Sequence, residues 1–375
     1  MASSPSVSAA ARSHMLAALL FFSAMTFVIG TLALLTRSGS LAGWIDRKNE
    51  ESCRETRRLL LHRGWFQQPD ELWIYDRAPK ADYSKGGVYL LGASHVEYST
   101  KLWELPPGIQ TVVHNYGLPA ANHRSESVLL RYLIEQRGLL KAGGEKSLVL
   151  FGIDYETAVY PCRSLPDKWT DVWVRHGCFT CDPQQGIREA PVNAISKSIE
   201  FEETFQAECI IQLLKISRQQ LSRWLHHGAE PPRTLDPAQY VAQRRTDMGP
   251  DWKRKFAEDV QVLGETIDYL REQHVPIGVL RMPEGRWEQE LPFGSEYWRQ
   301  VAALCAEKHI PTYDWSGMLT DDEFADSGHP NIFGMEKIQS AFLEIARPFL
   351  SSNGILNDTD CPMVNSQSIA ADGKP

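Results

Sequence analysis

The sequence predicts an α/β fold: a three-layer arrangement of helices around a parallel sheet, preceded by one transmembrane helix. Three observations lead there. Short apolar runs alternate with helical patterns through most of the chain, as they do when crossover helices flank a parallel sheet. The composition, 43% hydrophobic and 23% charged over 375 residues, is that of a folded domain and not of a disordered chain. Near the start, one long run carries no charge at all.

That run is residues 15–35, MLAALLFFSAMTFVIGTLALL, about as long as a helix needs to cross roughly 30 Å of hydrocarbon. It exceeds the apolar core of a cleaved signal peptide, so it reads as an anchor that places the bilayer among the chain's partners. A short tail, 1–14, precedes it. A connector, 36–69, follows, and within it EESCRETRRLLLHR at 50–63 reads as a charged, solvated helix. The folded domain is expected over 70–350.

Within the domain, strands are expected at Val88 to Leu91, Thr111 to His114, Leu148 to Phe151, Pro276 to Leu280 and Pro311 to Tyr313. A helix over Ser125 to Arg137 puts Val128, Leu129, Tyr132 and Leu133 on one face and stops at Gly138. An insertion is expected at about 155–250. Its first part, Tyr155 to Pro191, has no sustained period and reads as a loop excursion, in which Trp169 and Trp173 either anchor the loop or stack on sugar rings. A helix from Ser198 to His227 follows, then the Pro231-Pro232 break and a helix from Trp252 to Gln273. The last helix, Gly334 to Leu350, leads into a polar tail, 351–375, expected to be disordered.

Charge and cysteines narrow the function classes. A net charge of -8 argues against nucleic acid as a partner, because binding there needs a basic face that displaces counterions. Seven cysteines are too few and scattered to staple the fold. Cys162, Cys178 and Cys181 are close enough in sequence for a bridge in an oxidising compartment. As a metal site, Cys178-Phe-Thr-Cys181 with His176 lacks a second ligand pair, so no metal and no cofactor is expected.

Two segments carry candidate chemistry. Gly92-Ala93-Ser94-His95 places a serine just past the carboxyl end of a strand, where open parallel sheets keep reactive groups. Asp326-Ser327-Gly328-His329-Pro330-Asn331 presents a carboxylate and an imidazole in one turn. A serine hydroxyl needs such an imidazole to take its proton, and the imidazole needs a carboxylate to fix its tautomer and stabilise its cation. Each segment also has a plain structural reading, as a helix cap or turn. His95 reads as an exposed residue or as one behind the nucleophile, rather than as its base. Arg281 reads as an ion-pair partner at the end of its strand or as a contact for an anionic substrate.

The order of the blocks carries a resemblance. G-x-S follows the first strand, Asn115-Tyr116-Gly117 the second and Gly152-Ile153-Asp154 the third, and D-x-x-H-P-N-x-x-G precedes the last helix. Together they resemble the SGNH (GDSL-like) hydrolase and acyltransferase superfamily over roughly Val88 to Leu350, the insertion apart. The resemblance implies a flavodoxin-like domain with Ser94 as nucleophile, His329 as general base and then acid, and Asp326 as the orienting carboxylate. It also implies an oxyanion or binding role for Gly117, Asn115 and Asp154. The third block departs from the family, since Asp154 stands where an asparagine amide is usual and an ionised carboxylate only accepts hydrogen bonds.

An anchored domain of this kind, with serine ahead of D-x-x-H, is similar to the DltD-like arrangement. That similarity implies acyl transfer or ester hydrolysis on acylated cell-envelope glycans, beside a membrane-embedded acyltransferase partner. It also implies that the domain faces the extracytoplasmic side of the cell membrane. Arg37, Arg47, Lys48 and Arg54 after the span, against Arg12 before it, argue for the cytoplasm under the positive-inside rule, so a cytoplasm-facing lipid esterase stays open. A non-catalytic glycan-binding or scaffold protein of the envelope also stays open, and Asp154 is its main support.

Overall fold

A computed structural model describes residues 81–159 and 236–356, the backbone of a hairpin at 179–182 and 186–189, and isolated helical positions between Leu20 and Glu55. In chain order the elements are β1 (Gly87–Gly92), α1 (Ser94–Glu97), α2 (Pro107–Gln110), β2 (Val113–Gly117), α3 (His123–Arg137) and β3 (Ser147–Ile153). Next come β4 (Phe179–Asp182), β5 (Gly186–Glu189), α4 (Pro237–Met248) and α5 (Trp252–Glu272). The chain continues through β6 (Ile277–Arg281), α6 (Phe293–Glu307), β7 (Thr312–Asp314) and α7 (Ile332–Ser352).

Five strands form one parallel sheet in the order β2-β1-β3-β6-β7. The chain steps one way from β1 to β2 and the other way from β2 to β3 and beyond, so the direction reverses between β1 and β3. Right-handed crossovers then put α1 and α2 on one face and α3, α5 and α6 on the other. The contacts agree: α5 packs against both α3 and α6, and α7 packs on β1. Every residue of β1 and β3 is buried, as central strands covered on both faces require. At a reversal of this kind the carboxyl ends of the strands leave a crevice.

Glycines set how closely α1 sits on that edge. Gly92 pairs in register with Gly117 on one side and Gly152 on the other. A Cβ on Gly152 would stand 2.1 Å from Val96 Cγ2, and one on Gly117 would stand 2.3 Å from the Glu97 nitrogen. The row of three therefore lets the α1 backbone lie directly on the strand ends, with Val96 fully buried between them.

Helix ends follow local chemistry. Asn122 Oδ1 accepts from the Ser125 N–H at 3.0 Å to start α3, and Gly138 ends it at φ +71°. Helix α4, absent from the sequence reading, opens with Asp236 Oδ1 accepting from Gln239 N and with Pro237 in the first turn. The second strand begins at Val113 rather than Thr111, because Pro106 and Pro107 start the short α2 turn that ends at Thr111. The stretch from Tyr155 to Pro191 is not wholly irregular. It holds the β4–β5 antiparallel pair.

The connector is also not simply solvated. Arg54 reaches Glu336 of α7 at 2.6 Å and Glu50 at 3.0 Å, and Cys53 is buried against Ile332 and Met335. Lys101, fully buried, contacts Glu104 at 2.5 Å, Glu336 at 3.2 Å and Glu50 at 3.5 Å. These residues tie the connector to the first turn of α7.

Among the described residues no helix is long and apolar enough to cross a membrane. Most of the expected span at 15–35 lies outside them, as do Trp169, Trp173, Cys162, Cys178, His176, the Ser198 to His227 helix and the tail from residue 357. Cys305 is a free, buried thiol, and Cys53 is buried as well.

Candidate active site

Ser94 is the first residue of α1 and stands half-exposed over the crevice between β1 and β3. The approach is constrained: Gly92 has φ +156°, and a Cβ there would meet Val96 Cγ2 at 2.3 Å and Gly152 O at 2.7 Å. Only glycine fits that strand-to-helix turn.

His329 arrives from the opposite end of the chain in a short closed loop. Phe324 bridges Pro330, Ala325 N donates to His329 O at 2.8 Å, and Asn331 N donates to Glu323 O at 2.8 Å. Asn331, fully buried, caps α7 through Oδ1, which accepts from Phe333 N at 3.0 Å and Gly334 N at 3.3 Å, while its Nδ2 donates to Asp322 O at 2.8 Å. A Cβ on Gly334 would meet Glu323 O at 2.6 Å. The P-N-x-x-G portion of the motif thus holds the loop against the helix.

Within this frame His329 Nε2 lies 2.9 Å from Ser94 Oγ, and its Nδ1 lies 3.0 Å from both Asp326 oxygens. Asp326 Oδ1 also accepts from the backbone N–H groups of Gly328 at 2.9 Å and His329 at 2.8 Å. Burial works against the charge on Asp326, but the His329 ring and the two N–H donors outweigh it and pull the carboxyl down to about 2. An ionised Asp326 selects the tautomer with the proton on Nδ1, which leaves Nε2 free to accept from the serine hydroxyl. Tyr98 meets the His329 ring edge-on at 5.4 Å, and Trp287 Nε1 donates to Ser327 O at 2.9 Å. The structure brings Ser94, His329 and Asp326 together.

The other expected residues have different partners. Gly117 N donates to Asn115 Oδ1 at 2.9 Å, so the N–H read as an oxyanion donor is already hydrogen-bonded. Asn115 is buried and its Nδ2 donates to Val96 O at 2.8 Å and Thr100 Oγ1 at 3.1 Å. It ties the end of α1 to β2. Asp154 is buried, with Oδ2 3.2 Å from His95 Nδ1, each side chain 5% exposed. Burial alone would strip the His95 proton, but the charge of Asp154 outweighs it and raises His95 to about 10. Burial likewise opposes the charge on Asp154, and His95 outweighs it and holds the carboxyl below its ordinary value. The His95 ring stacks on His329, centroids 5.2 Å apart.

The residues around this edge that sequence reasoning missed come mainly from α4 and the turn before α6. Tyr240 OH donates to Glu156 Oε1 and Arg244 NH2 donates to Glu156 Oε2, both at 2.6 Å. Glu288 is buried, and burial pushes its carboxyl well above the ordinary range. The Asp236-Pro237 pair is a helix-start signal that would have placed Tyr240 and Arg244, four residues apart, on one face. Arg281, by contrast, pairs with Glu284 at 2.9 Å and Asp314 at 3.3 Å, the ion-pair reading of that residue.

No protein-family profile matches the chain, and no curated protein matches it. A solved structure from Bacteroides fragilis NCTC 9343, provisionally described as an acylhydrolase, aligns with 73% of this chain and 92% of its own at 10% identity and a TM-score of 0.38. A likeness that remote assigns neither family nor activity.

Proposed function

We propose that this chain is a membrane-anchored serine esterase or O-acyltransferase that acts on O-acyl groups of cell-envelope glycans. The observation that carries the reading is the unbroken line of polar contacts from Ser94 Oγ through His329 to Asp326, at 2.9 Å and 3.0 Å, on the half-exposed edge of the sheet. His329 Nε2 takes the hydroxyl proton as Ser94 Oγ attacks the acyl carbonyl. The proton then passes to the leaving alkoxide, and an acyl-serine remains. Water or an acceptor hydroxyl gives up its proton to the same nitrogen, attacks the acyl group and restores the serine. Water makes the reaction hydrolysis; a sugar hydroxyl makes it transfer.

The anchor reading rests on the uncharged run at 15–35 and on Leu20 and Phe27, the two large apolar side chains among the described residues that are strongly exposed, at 63% and 75%. Lipid is the natural solvent for such side chains on a helix. The Arg54–Glu336 and Cys53–Ile332 contacts tie the connector next to the His329 loop, which would hold the site close to the bilayer. On this reading the domain faces the extracytoplasmic side and works beside a membrane-bound acyltransferase. A reporter enzyme active only outside the cytoplasm, fused after Leu350, should be active; a silent but stable fusion reverses the orientation.

Full-length protein in detergent should hydrolyse a short chromogenic acyl ester, and Ser94→Ala should not. A non-catalytic glycan-binding role has one specific observation in its favour: neither the Gly117 N–H nor the Asp154 side chain is free to donate to an oxyanion. Equal inertness of wild type and Ser94→Ala, both folded, would select that role.

A further inference from the structure

Three groups crowd the position where the resemblance calls for a side-chain amide. Asp154, at the end of β3, is buried and turned toward His95. His95 is 4% exposed, and its ring lies at 25° to the ring of His329. A Cβ placed on Gly328 would stand 3.0 Å from His95 Nε2. The ring is therefore wedged between Asp154 and the loop that carries His329, on the residue immediately after the nucleophile. A carboxylate at residue 154 removes one donor, yet it holds an imidazole that has two.

We propose that Asp154 keeps His95 as a permanent imidazolium packed on His329, and that this fixed charge offsets the negative charge that develops on the acyl oxygen when Ser94 attacks. This rests on the serine-hydrolase reading above and adds to it the source of the electrostatic stabilisation. His95 is a positioning residue whose field reaches the reacting atoms from behind the His329 ring. A charge that is itself buried and oriented before the reaction needs no reorganisation as the oxyanion forms. The same charge repels the transient cation on His329. Asp326 opposes that repulsion, and what remains favours prompt delivery of the proton to the leaving group.

The groups facing His95 set the pH at which the charge persists. Asp154 faces it from the end of β3, Glu156 from the following turn and Glu288 from the turn before α6, and all three favour the protonated ring. His329 faces it from the loop before α7, and His123 of α3 acts on Asp154 from the far side. Without Asp154 only Glu156 and Glu288 offset the burial of His95, so the ring gives up its proton at a lower pH than in wild type.

The test compares full-length wild type, Asp154→Asn and His95→Gln in ester turnover between pH 6 and pH 8.5, with the state of His95 read by nitrogen NMR of the imidazole in wild type. Wild-type His95 should be protonated at pH 8. His95→Gln should lower kcat on the order of 100-fold with KM little changed, as the loss of a preorganised oxyanion stabiliser does. Asp154→Asn should fall progressively further behind wild type as pH rises, because its His95 loses the proton in that range. An Asp154→Asn to wild-type ratio that stays constant with pH, or a neutral wild-type His95 at pH 8, overturns the proposal even if Ser94 is the nucleophile. An enzyme inert at every pH removes the serine-hydrolase reading and this proposal with it, whereas a pH-flat ratio in an active enzyme removes only the proposal. If one variant fails to fold, the other carries the kinetic test, and a neutral wild-type His95 still overturns the proposal.

Discussion

Two clusters in this protein use the same residue types to opposite ends. At the carboxyl edge of the sheet, His329 and Asp326 are 25% and 43% exposed and meet a serine hydroxyl. Under the other face of the sheet, His123, Glu126 and Asp259 are each 1% exposed. There His123 Nδ1 meets Glu126 Oε2 at 2.8 Å, and the His123 N–H donates to Asp259 Oδ1 at 3.3 Å. Thr157 Oγ1 donates to Asp259 Oδ2 at 3.1 Å, and Tyr297 OH donates to the same oxygen. This second cluster joins the start of α3, the turn after β3, α5 and α6 into one sealed polar knot. A histidine with a carboxylate is thus no sign of catalysis by itself; what distinguishes the exposed pair is that its imidazole also meets a hydroxyl.

The sharpest way to break the comparison is to change one carboxylate in each cluster. Asp326→Asn leaves the shape of the exposed cluster intact but no longer selects the tautomer with Nδ1 protonated, so kcat should fall about 10⁴-fold. Its melting temperature should fall much less than that of Asp259→Asn, because the half-exposed Asp326 contributes only a solvent-screened charge interaction to the fold. Asp259→Asn should do the reverse and destabilise the fold by about 3–5 kcal/mol, because a buried partner is left uncompensated, while turnover per folded molecule stays near wild type. Thermal unfolding and kinetics on the same samples check both, and a large loss of turnover in folded Asp259→Asn would erase the distinction.

Titration sharpens it further. Burial disfavours the charge on His123, but Asp259 and Glu126 outweigh that and raise the ring to about 9, above an unfolded value of about 6.5. A raised group contributes stability that is complete below its unfolded value and is lost as pH rises through its folded one. Glu126, raised by burial, acts in the same direction. The stability gap between wild type and His123→Gln should therefore narrow as pH climbs from about 6.5 past 9, as measured by urea unfolding. The smallest effect belongs to the surface: Arg286→Ala removes an exposed ion pair with Asp321 and should leave the melting temperature unmoved within error.

Much of this was legible in the sequence because it is local. The strands lie near their expected places because each is a short apolar run, and the G-x-S segment sits at a strand end and the D-x-x-H segment just ahead of α7 because glycine and asparagine set those turns. Asp154 announced that an amide was missing, but its contact with His95 could not be read. Nothing in a linear chain pairs residues 95 and 154 until β1 and β3 lie side by side. The partner of the Gly117 N–H is hidden for a similar reason, since Asn115 two residues earlier folds back onto it. Helix α4 was overlooked although Asp236-Pro237 marks its start, because the preceding Pro231-Pro232 pair drew the whole segment into a linker.

On the proposed reading, His329 and Asp326 turn Ser94 into a nucleophile. Full-length protein treated with a serine-directed fluorophosphonate and analysed by peptide mass spectrometry tests it most directly, because only a hydroxyl activated by a neighbouring imidazole reacts quickly with such a probe. One adduct is expected, on Ser94, formed fast in wild type, slowly in Asp326→Asn and not at all in Ser94→Ala. Folded wild-type protein that takes no label at Ser94, or takes it no faster than Asp326→Asn, would contradict it.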